Sequence, residues 1–147
     1  MPEYRPMVRR FDDDGDSHLA SRSDHVHEQE TEARTATVAG ATTGTISDPV
    51  TDHVFVTVTS ADANHIIILP APTPGTIVDI KNGATGYELR SSDPATISIN
   101  GGAEALAESA ITANVLVVCR CVSATAWICT NYSTAGVVSA TQVAAAA

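Results

Sequence analysis

The segment NHIIILPAPTPGTIVDIKNG, residues 64–83, places two hydrophobic stretches on either side of a proline-rich crossing. Ile66–Leu69 is a short continuous aliphatic run, which predicts a strand buried on both faces. Thr76–Ile80 follows almost at once and predicts a second strand. The prolines between them lack the backbone N–H that a central strand must donate, and each fixes φ, so the crossing is expected to be stiff and extended. These prolines are Pro70, Pro72 and Pro74.

Two compatible interpretations of this crossing follow from its stiffness. In the first, the crossing is a rigid corner that carries the chain from one sheet to another. In the second, it is a preformed contact surface for a neighbouring subunit, because a stiff segment loses little conformational entropy when it is buried. Under the second interpretation Pro70, Pro72 and Pro74 are the predicted subunit contacts.

Further strand candidates follow along the chain at a spacing of roughly ten residues, with turn residues between them. HVFVTVTS, residues 53–60, alternates between valine and other residues, as a strand with one buried face does. The longest strand signal is ITANVLVVCRCVS, residues 111–123, and only GGAEALAESA, residues 101–110, looks helical. We therefore predict an all-β fold, an antiparallel β-sandwich or barrel-like domain with an extended N-terminal arm.

Composition divides the chain into three parts. Residues 1–34 carry nine acidic residues and five arginines without a sustained hydrophobic period, which predicts a charged arm that is extended or disordered when alone. A short helix within residues 24–34 is an alternative for the end of this arm. Residues 35–137 are the predicted β-domain, and residues 138–147 are a tail of small residues.

The composition also limits the possible partners. The chain has 147 residues, a formal charge of −9, 44% hydrophobic residues and 4% aromatic residues. The negative charge, with no basic stripe, argues against a nucleic-acid partner. No apolar run reaches the roughly 18 residues of a membrane span, and the N-terminus has no apolar signal region, so we expect synthesis in a cytoplasm and no membrane partner.

The three cysteines are predicted to lie close together. If residues 123–125 form a hairpin loop, Cys121 lies opposite Trp127 and Cys119 lies opposite Cys129. All three thiols then share one face, and buried free thiols are the interpretation we prefer. A disulfide between Cys119 and Cys129 is the alternative. Zinc is disfavoured because one Cys-x-Cys without a nearby histidine does not supply four ligands.

We find no pattern that predicts another metal site. Residues 12–17, DDDGDS, resemble part of a calcium loop, but an EF-hand alignment places Arg10 and Ser21 at ligand positions, which excludes that motif. A looser divalent-ion site at Asp12, Asp14 and Asp16, or weak chelation by His25 and His27, is less favoured than a solvated acidic segment.

Catalytic motifs are also missing from the sequence. There is no Gly-x-Ser-x-Gly motif and no phosphate-binding loop. The two histidines after residue 34, His53 and His65, each stand beside a predicted strand, where a single hydrogen bond would satisfy them. We therefore expect neither enzymatic activity nor a cofactor.

The strings ILPAPTPGTIVDIKNGATGYELRSSDPATISINGG and ANVLVVCRCVSATAWICTNYSTAG resemble small β-domains of tailed-phage virions. The resemblance lies in an aliphatic Leu-Pro strand, a Gly-Thr-Ile-Val strand with an Asn-Gly turn, an Ile-Asn-Gly turn and a Trp-bearing hairpin. It covers residues 64–136. It implies a structural protein, most like a capsid decoration (cement) protein, that is made in the host cytoplasm, forms homotrimers and has the major capsid protein as its partner.

The resemblance leaves two positions in a virion open. The first is the outer capsid surface, where a decoration protein binds and stabilises the shell. The alternative is a receptor-binding or adhesin module of a fibre or spike, which the low aromatic content makes less attractive. For the first position the arm is the expected anchor, because its basic and acidic clusters would meet complementary patches on the shell. The predicted capsid contacts are Arg5, Arg9, Arg10, Asp12, Asp13 and Asp14.

Overall fold

The computed structural model describes residues 29–105 and 107–140, and within these ranges every regular element is a β-strand. The all-β prediction is therefore confirmed. The strands, in chain order, are β1 (Glu30–Thr35), β2 (His53–Thr59), β3 (Ile66–Ile68), β4 (Ile77–Asn82), β5 (Tyr87–Arg90), β6 (Ser98–Ile99), β7 (Ser109–Ile111), β8 (Leu116–Ser123), β9 (Ala126–Tyr132) and β10 (Val138–Ala140).

The strands form two mixed sheets around one core. The larger sheet has the order β1-β2-β4-β8-β9-β10, and β6 pairs with the start of β9 on the same edge that β10 occupies near its end. The smaller sheet has the order β3-β5-β7. The predicted alternation of β2 holds, because its valines are buried and its other residues face away from the core. Side chains of both sheets meet in the core, for example Val56 and Ile80 of the larger sheet and Ile67 and Leu89 of the smaller one.

The prediction of an antiparallel β-sandwich or barrel-like domain is wrong in part, because the sheets are mixed and the fold is not a plain sandwich or barrel. β1 pairs with β2, β2 with β4, and β3 with β5 in parallel. The register joins Glu30 to Val54 and Val54 to Val78, a step of 24 residues each time (54 − 30 and 78 − 54). The chain thus winds in stacked coils in a solenoid-like arrangement. Between β1 and β2 it forms an isolated bridge from Thr45 to Ile68, and between β2 and β4 it forms β3 of the smaller sheet. Regular turn spacing cannot distinguish a strand that folds back from one that crosses to the opposite sheet, and this caused the error.

Antiparallel strands close one side of the stacked coils. β8 pairs with β4 and β9 pairs with β8, both antiparallel, while β7 pairs with β5 in the smaller sheet. The strand predicted at residues 111–123 is divided into β7 and β8 by Asn114, whose φ of 59° lies in the left-handed region. An asparagine tolerates this conformation better than most residues, so the chain turns there.

The segment 101–110 does not form the helix that its alanines and glutamates suggest, as far as the structure describes it. Asn100 and Gly101 have φ values of 50° and 85°, and Ile99 and Gly102 exchange backbone hydrogen bonds across them. Two successive residues with positive φ define the type I′ turn that Asn-Gly favours. The segment leaves this turn and enters β7 at Ser109, so tertiary pairing overrides its helical propensity.

The boundaries of the β-domain are wider than the sequence suggested. Residues 30–34, which the sequence assigned to the arm, lie in β1. The alternative of a helix is therefore wrong for these residues. Residues 24–28 lie outside the described ranges. Glu32 accepts hydrogen bonds from Ser47 N–H, and Glu30 accepts them from Val50 and Thr51. The charged residues of β1 thus bind the loop that follows it, which lets a hydrophilic strand end the stack. At the other end, residues 138–140 of the predicted tail form β10.

Candidate interaction surface

The proline crossing leads from β3 in the smaller sheet to β4 in the larger sheet, as the first interpretation predicted. Pro70 is buried, Pro72 is half-buried and Pro74 is exposed. The crossing is held at both ends, because Ala71 N–H donates to Asp48 Oδ1 at 3.0 Å and Gly75 N–H donates to Cys121 O at 2.9 Å. Only Pro72 and Pro74 therefore present surface that a neighbouring subunit could reach.

The crossing leads directly into Ile77 of β4, which belongs to a hydrophobic sheet face that we call the outer face. It consists of the residues of the larger sheet that alternate with the buried ones and point away from the core. Its aliphatic and aromatic members, read from the strand registers, are Phe55, Ile77, Leu116, Val118, Val122, Ile128, Tyr132 and Val138. In the described ranges no second layer is formed on this side of the sheet.

Four of the eight hydrophobic side chains of the outer face are exposed, and the other four are half-buried. Val122 is 55%, Ile128 47%, Tyr132 39% and Val138 57% exposed. Single exposed aliphatic residues are ordinary, but a group of them on adjacent strands marks an interaction surface. This group is not predictable from the sequence, because β8 and β9 carry apolar residues on both faces and alternation alone does not tell which face is buried.

Charged residues interrupt the apolar surface. His53 Nε2 lies 2.9 Å from Asp79 Oδ2, joining β2 to β4. Arg120 is exposed and stands opposite both Ile77 and Ile128, while Lys81 Nζ donates to Asn82 O at 2.7 Å. Neither cation is in an ion pair within the described ranges. The outer face is therefore largely apolar, with the His53–Asp79 pair and two basic groups, Lys81 and Arg120, that are in no ion pair among the described residues.

The cysteine prediction is confirmed in its register. Cys121 pairs with Trp127 and Cys119 pairs with Cys129 across β8 and β9. All three cysteines are free and buried. Burial raises the pKa of the Cys119 and Cys121 thiols. Burial also raises the pKa of Tyr87, and nearby Cys119 and Cys129 raise it further. The buried Tyr87 hydroxyl has no hydrogen-bond partner among the residues that the structure describes.

Several predicted residues lie outside the described ranges. They are the six proposed capsid contacts of the arm and the two less favoured metal-binding groups, at residues 12–16 and 25–27. Among the residues that the structure does describe, no group of three or more His, Cys, Asp or Glu side chains is arranged to hold a metal ion. The same residues include no helix of the length and hydrophobicity that a bilayer crossing requires.

No protein-family model, no curated protein and no solved structure matches this chain.

Proposed function

We propose that this chain is a non-enzymatic structural protein of a tailed-phage virion that binds the outer surface of the capsid and stabilises it. The observation that carries the proposal is the exposed hydrophobic outer face beside the stiff proline crossing. A face of this kind is stabilised when another protein surface covers it. The resemblance of residues 64–136 to small virion β-domains supports the same conclusion from the sequence.

The proposed assembly has two interfaces. Copies of the chain associate as a homotrimer near the proline crossing and the outer face, and the charged N-terminal segment binds the major capsid protein. Cyclic association covers exposed sheet surface without leaving an open end, which supports a closed trimer over a filament. A segment that orders on binding adds contact area across neighbouring shell subunits.

A second candidate is a module of a fibre or spike. The parallel stacking of β1, β2 and β4 at a constant step of 24 residues favours it, because stacked coils suit elongated structures. In this case the outer face would contact the neighbouring chains of a fibre.

Copy number in purified virions tests the two candidates. Quantitative mass spectrometry against the major capsid protein should find on the order of hundreds of copies for a decoration protein with a trimer at each local symmetry site. It should find only a few tens for a fibre. Purified protein should also bind empty shells of the accompanying capsid protein and raise their disruption temperature. Two results would reject the stabilising role. One is saturable binding of the protein to empty shells without a rise in their disruption temperature. The other is a failure to bind shells although the protein is present in virions at high copy number.

A further inference from the structure

Cys119 and Cys129 occupy a position at which two antiparallel strands can be joined covalently. They are direct partners in the register of β8 and β9, and their Sγ atoms are 2.7 Å apart. Both side chains are essentially inaccessible, at 0% and 1% exposure. The two thiols therefore face one another inside the core, without an intervening side chain.

The backbone hydrogen bonds define which kind of pair this is. Cys129 N–H donates to Asn100 Oδ1 and Cys129 O accepts from Asn100 Nδ2, so the backbone of Cys129 points away from β8. Cys121 N–H donates to Thr76 O and Cys121 O accepts from Gly75 N–H, so that residue points its backbone away from β9. Cys119 lies two residues earlier in β8 and has the same orientation.

Cys119 and Cys129 are therefore a non-hydrogen-bonded antiparallel pair. At such pairs the opposed Cα atoms are only about 4.5 Å apart. A disulfide needs Cα atoms roughly 4.4–6.8 Å apart, so this pair lies within the required range without movement of the strands. The register irregularity of β8 falls between Cys121 and Ser123 and leaves the pair undisturbed.

We propose that Cys119 and Cys129 are a thiol modification site that reacts with a low-molecular-weight disulfide and closes into a cross-strand disulfide. The first thiolate attacks one sulfur of the oxidant and releases one equivalent of its thiol, which leaves a mixed disulfide on the protein. The second thiolate attacks the protein sulfur of that mixed disulfide and releases the other equivalent. Two cysteines are oxidised and one oxidant disulfide is reduced to two thiols.

The third cysteine does not take part. Cys121 faces Trp127 across the strands, and its Sγ lies 3.1 Å from Ser123 O. Burial of the pair controls the rate, because an oxidant reaches it only when β8 and β9 separate locally. Burial also raises the pKa of Cys119 and lowers its thiolate fraction, so oxidation of the folded protein is slow.

The biological consequence rests on the proposed function. A virion protein is made in a reducing cytoplasm and then released into an oxidising medium, where such a pair would close and staple the hairpin. The chemistry is tested on the purified protein alone, so failure of the redox proposal and failure of the capsid proposal are separate results.

The experiment exposes reduced full-length protein to oxidised glutathione, with and without a urea concentration below the unfolding transition. Free thiols are then counted after denaturation. Wild type should fall from three free thiols to one, with a mass loss of about 2 Da and faster closure in urea. Cys121→Ser should fall from two to none, whereas Cys129→Ser should form no intramolecular disulfide. The melting temperature should rise on the order of 10 °C on oxidation of wild type and Cys121→Ser only.

A peptide map of oxidised wild type decides the pairing without any variant. Trypsin cleaves after Arg120 and so separates Cys119 from the peptide that holds Cys121 and Cys129; a second cleavage beside Trp127 then separates those two. A link between the Cys119 and Cys129 peptides supports the proposal. Three thiols that remain free even in urea, or a link that includes Cys121, would overturn it.

Discussion

The side-chain amide of Asn100 occupies both backbone hydrogen-bonding groups of Cys129. Asn100 Nδ2 donates to Cys129 O at 3.0 Å, and Asn100 Oδ1 accepts from Cys129 N–H at 2.9 Å. The amide thus continues the pairing of β6 along β9 after β6 itself has ended at Ile99. The same residue adopts the left-handed conformation of the type I′ turn, so one asparagine both turns the chain and fastens the turn to the core hairpin.

We predict that Asn100→Asp lowers the free energy of unfolding by about 2 kcal/mol, because it replaces the donor Nδ2 by an oxygen facing Cys129 O. Asn100→Ala should cost more, since alanine also disfavours positive φ. Urea denaturation, monitored by the fluorescence of Trp127, measures the loss of stability in each variant. Asn64→Ala, at an exposed asparagine, is the control and should change stability by less than about 0.5 kcal/mol. Equal effects at Asn64 and Asn100 would contradict this role.

A pH effect is expected at Glu88 of β5. Burial raises the pKa of Glu88 above its ordinary value of 4.5, the nearby Glu108 raises it further, and Arg90 opposes both. The pKa of Glu88 is higher in the folded state than in the unfolded state, so protonated Glu88 favours folding. This stabilisation is fully present below the unfolded-state pKa and is lost as the pH rises through the folded-state pKa. Glu88→Gln should therefore be the more stable protein at pH 7, by less than about 1 kcal/mol given the partial exposure.

Denaturation curves between pH 4 and pH 7 check the Glu88 prediction. The advantage of Glu88→Gln should shrink towards pH 4, where the wild-type carboxyl is protonated. Glu104→Gln changes the same charge at an exposed position and should show no such trend. A gap that widens as the pH falls would contradict the assigned direction.

The three prolines should separate into two classes. Pro70→Ser should lower the free energy of unfolding by about 1 kcal/mol, because the buried corner loses its fixed φ and gains unfolded-state entropy. Pro74→Ser, at an exposed position, should leave stability almost unchanged and weaken self-association instead. Thermal melting and light scattering across a dilution series measure the two effects. If both variants lose only stability, the crossing is an intramolecular corner and not a subunit contact.

The outer face should tolerate a charge in the monomer but not in the assembly. Ile128→Glu places a carboxylate on an exposed position of β9, and we expect its trimer to dissociate at a concentration at least about tenfold higher than wild type, since burying an unpaired charge is costly. Val50→Glu is the matched control, because Val50 is 95% exposed and lies in the loop before β2. Sedimentation velocity distinguishes the two. The trimer would be rejected by two results together. Wild type would be a monomer at micromolar concentration in solution, and Ile128→Glu and Val50→Glu would occupy shells equally well.

The N-terminal charges should govern capsid binding. We predict that replacing Arg5, Arg9 and Arg10 by Ser lowers the affinity for shells more than tenfold and reduces its salt dependence, because charge complementarity is lost. Arg22→Ser removes a positive charge elsewhere in the same segment and is the control. Deletion of residues 1–28 should abolish decoration and leave β1 in place, whereas a deletion to residue 34 would also remove most of that strand. Full occupancy after the shorter deletion would place the anchor elsewhere.

Local patterns in the sequence were enough to predict several features. Alternating valines identified β2, the turn at Asn100-Gly101 followed from residue types that accept positive φ, and the opposition of Cys119 and Cys129 followed from a short hairpin loop. Proline chemistry predicted a stiff crossing between sheets. Each of these features depends on residues that are neighbours in the chain or across one tight turn, where propensity and steric preference act directly.

Only the tertiary structure decided how the strands combine. The step of 24 residues that stacks β1, β2 and β4 in parallel results from the chain crossing to the side of the smaller sheet between them, through the Thr45 bridge and then through β3. No local preference encodes that path. Packing also decided that Ile128 and Val122 face solvent while Cys119 and Trp127 fill the core, because both sets are apolar and differ only in what the rest of the chain places against them. Whether a side chain is buried depends on how the two sheets pack together, so the exposed face could be recognised only once the strand order was known.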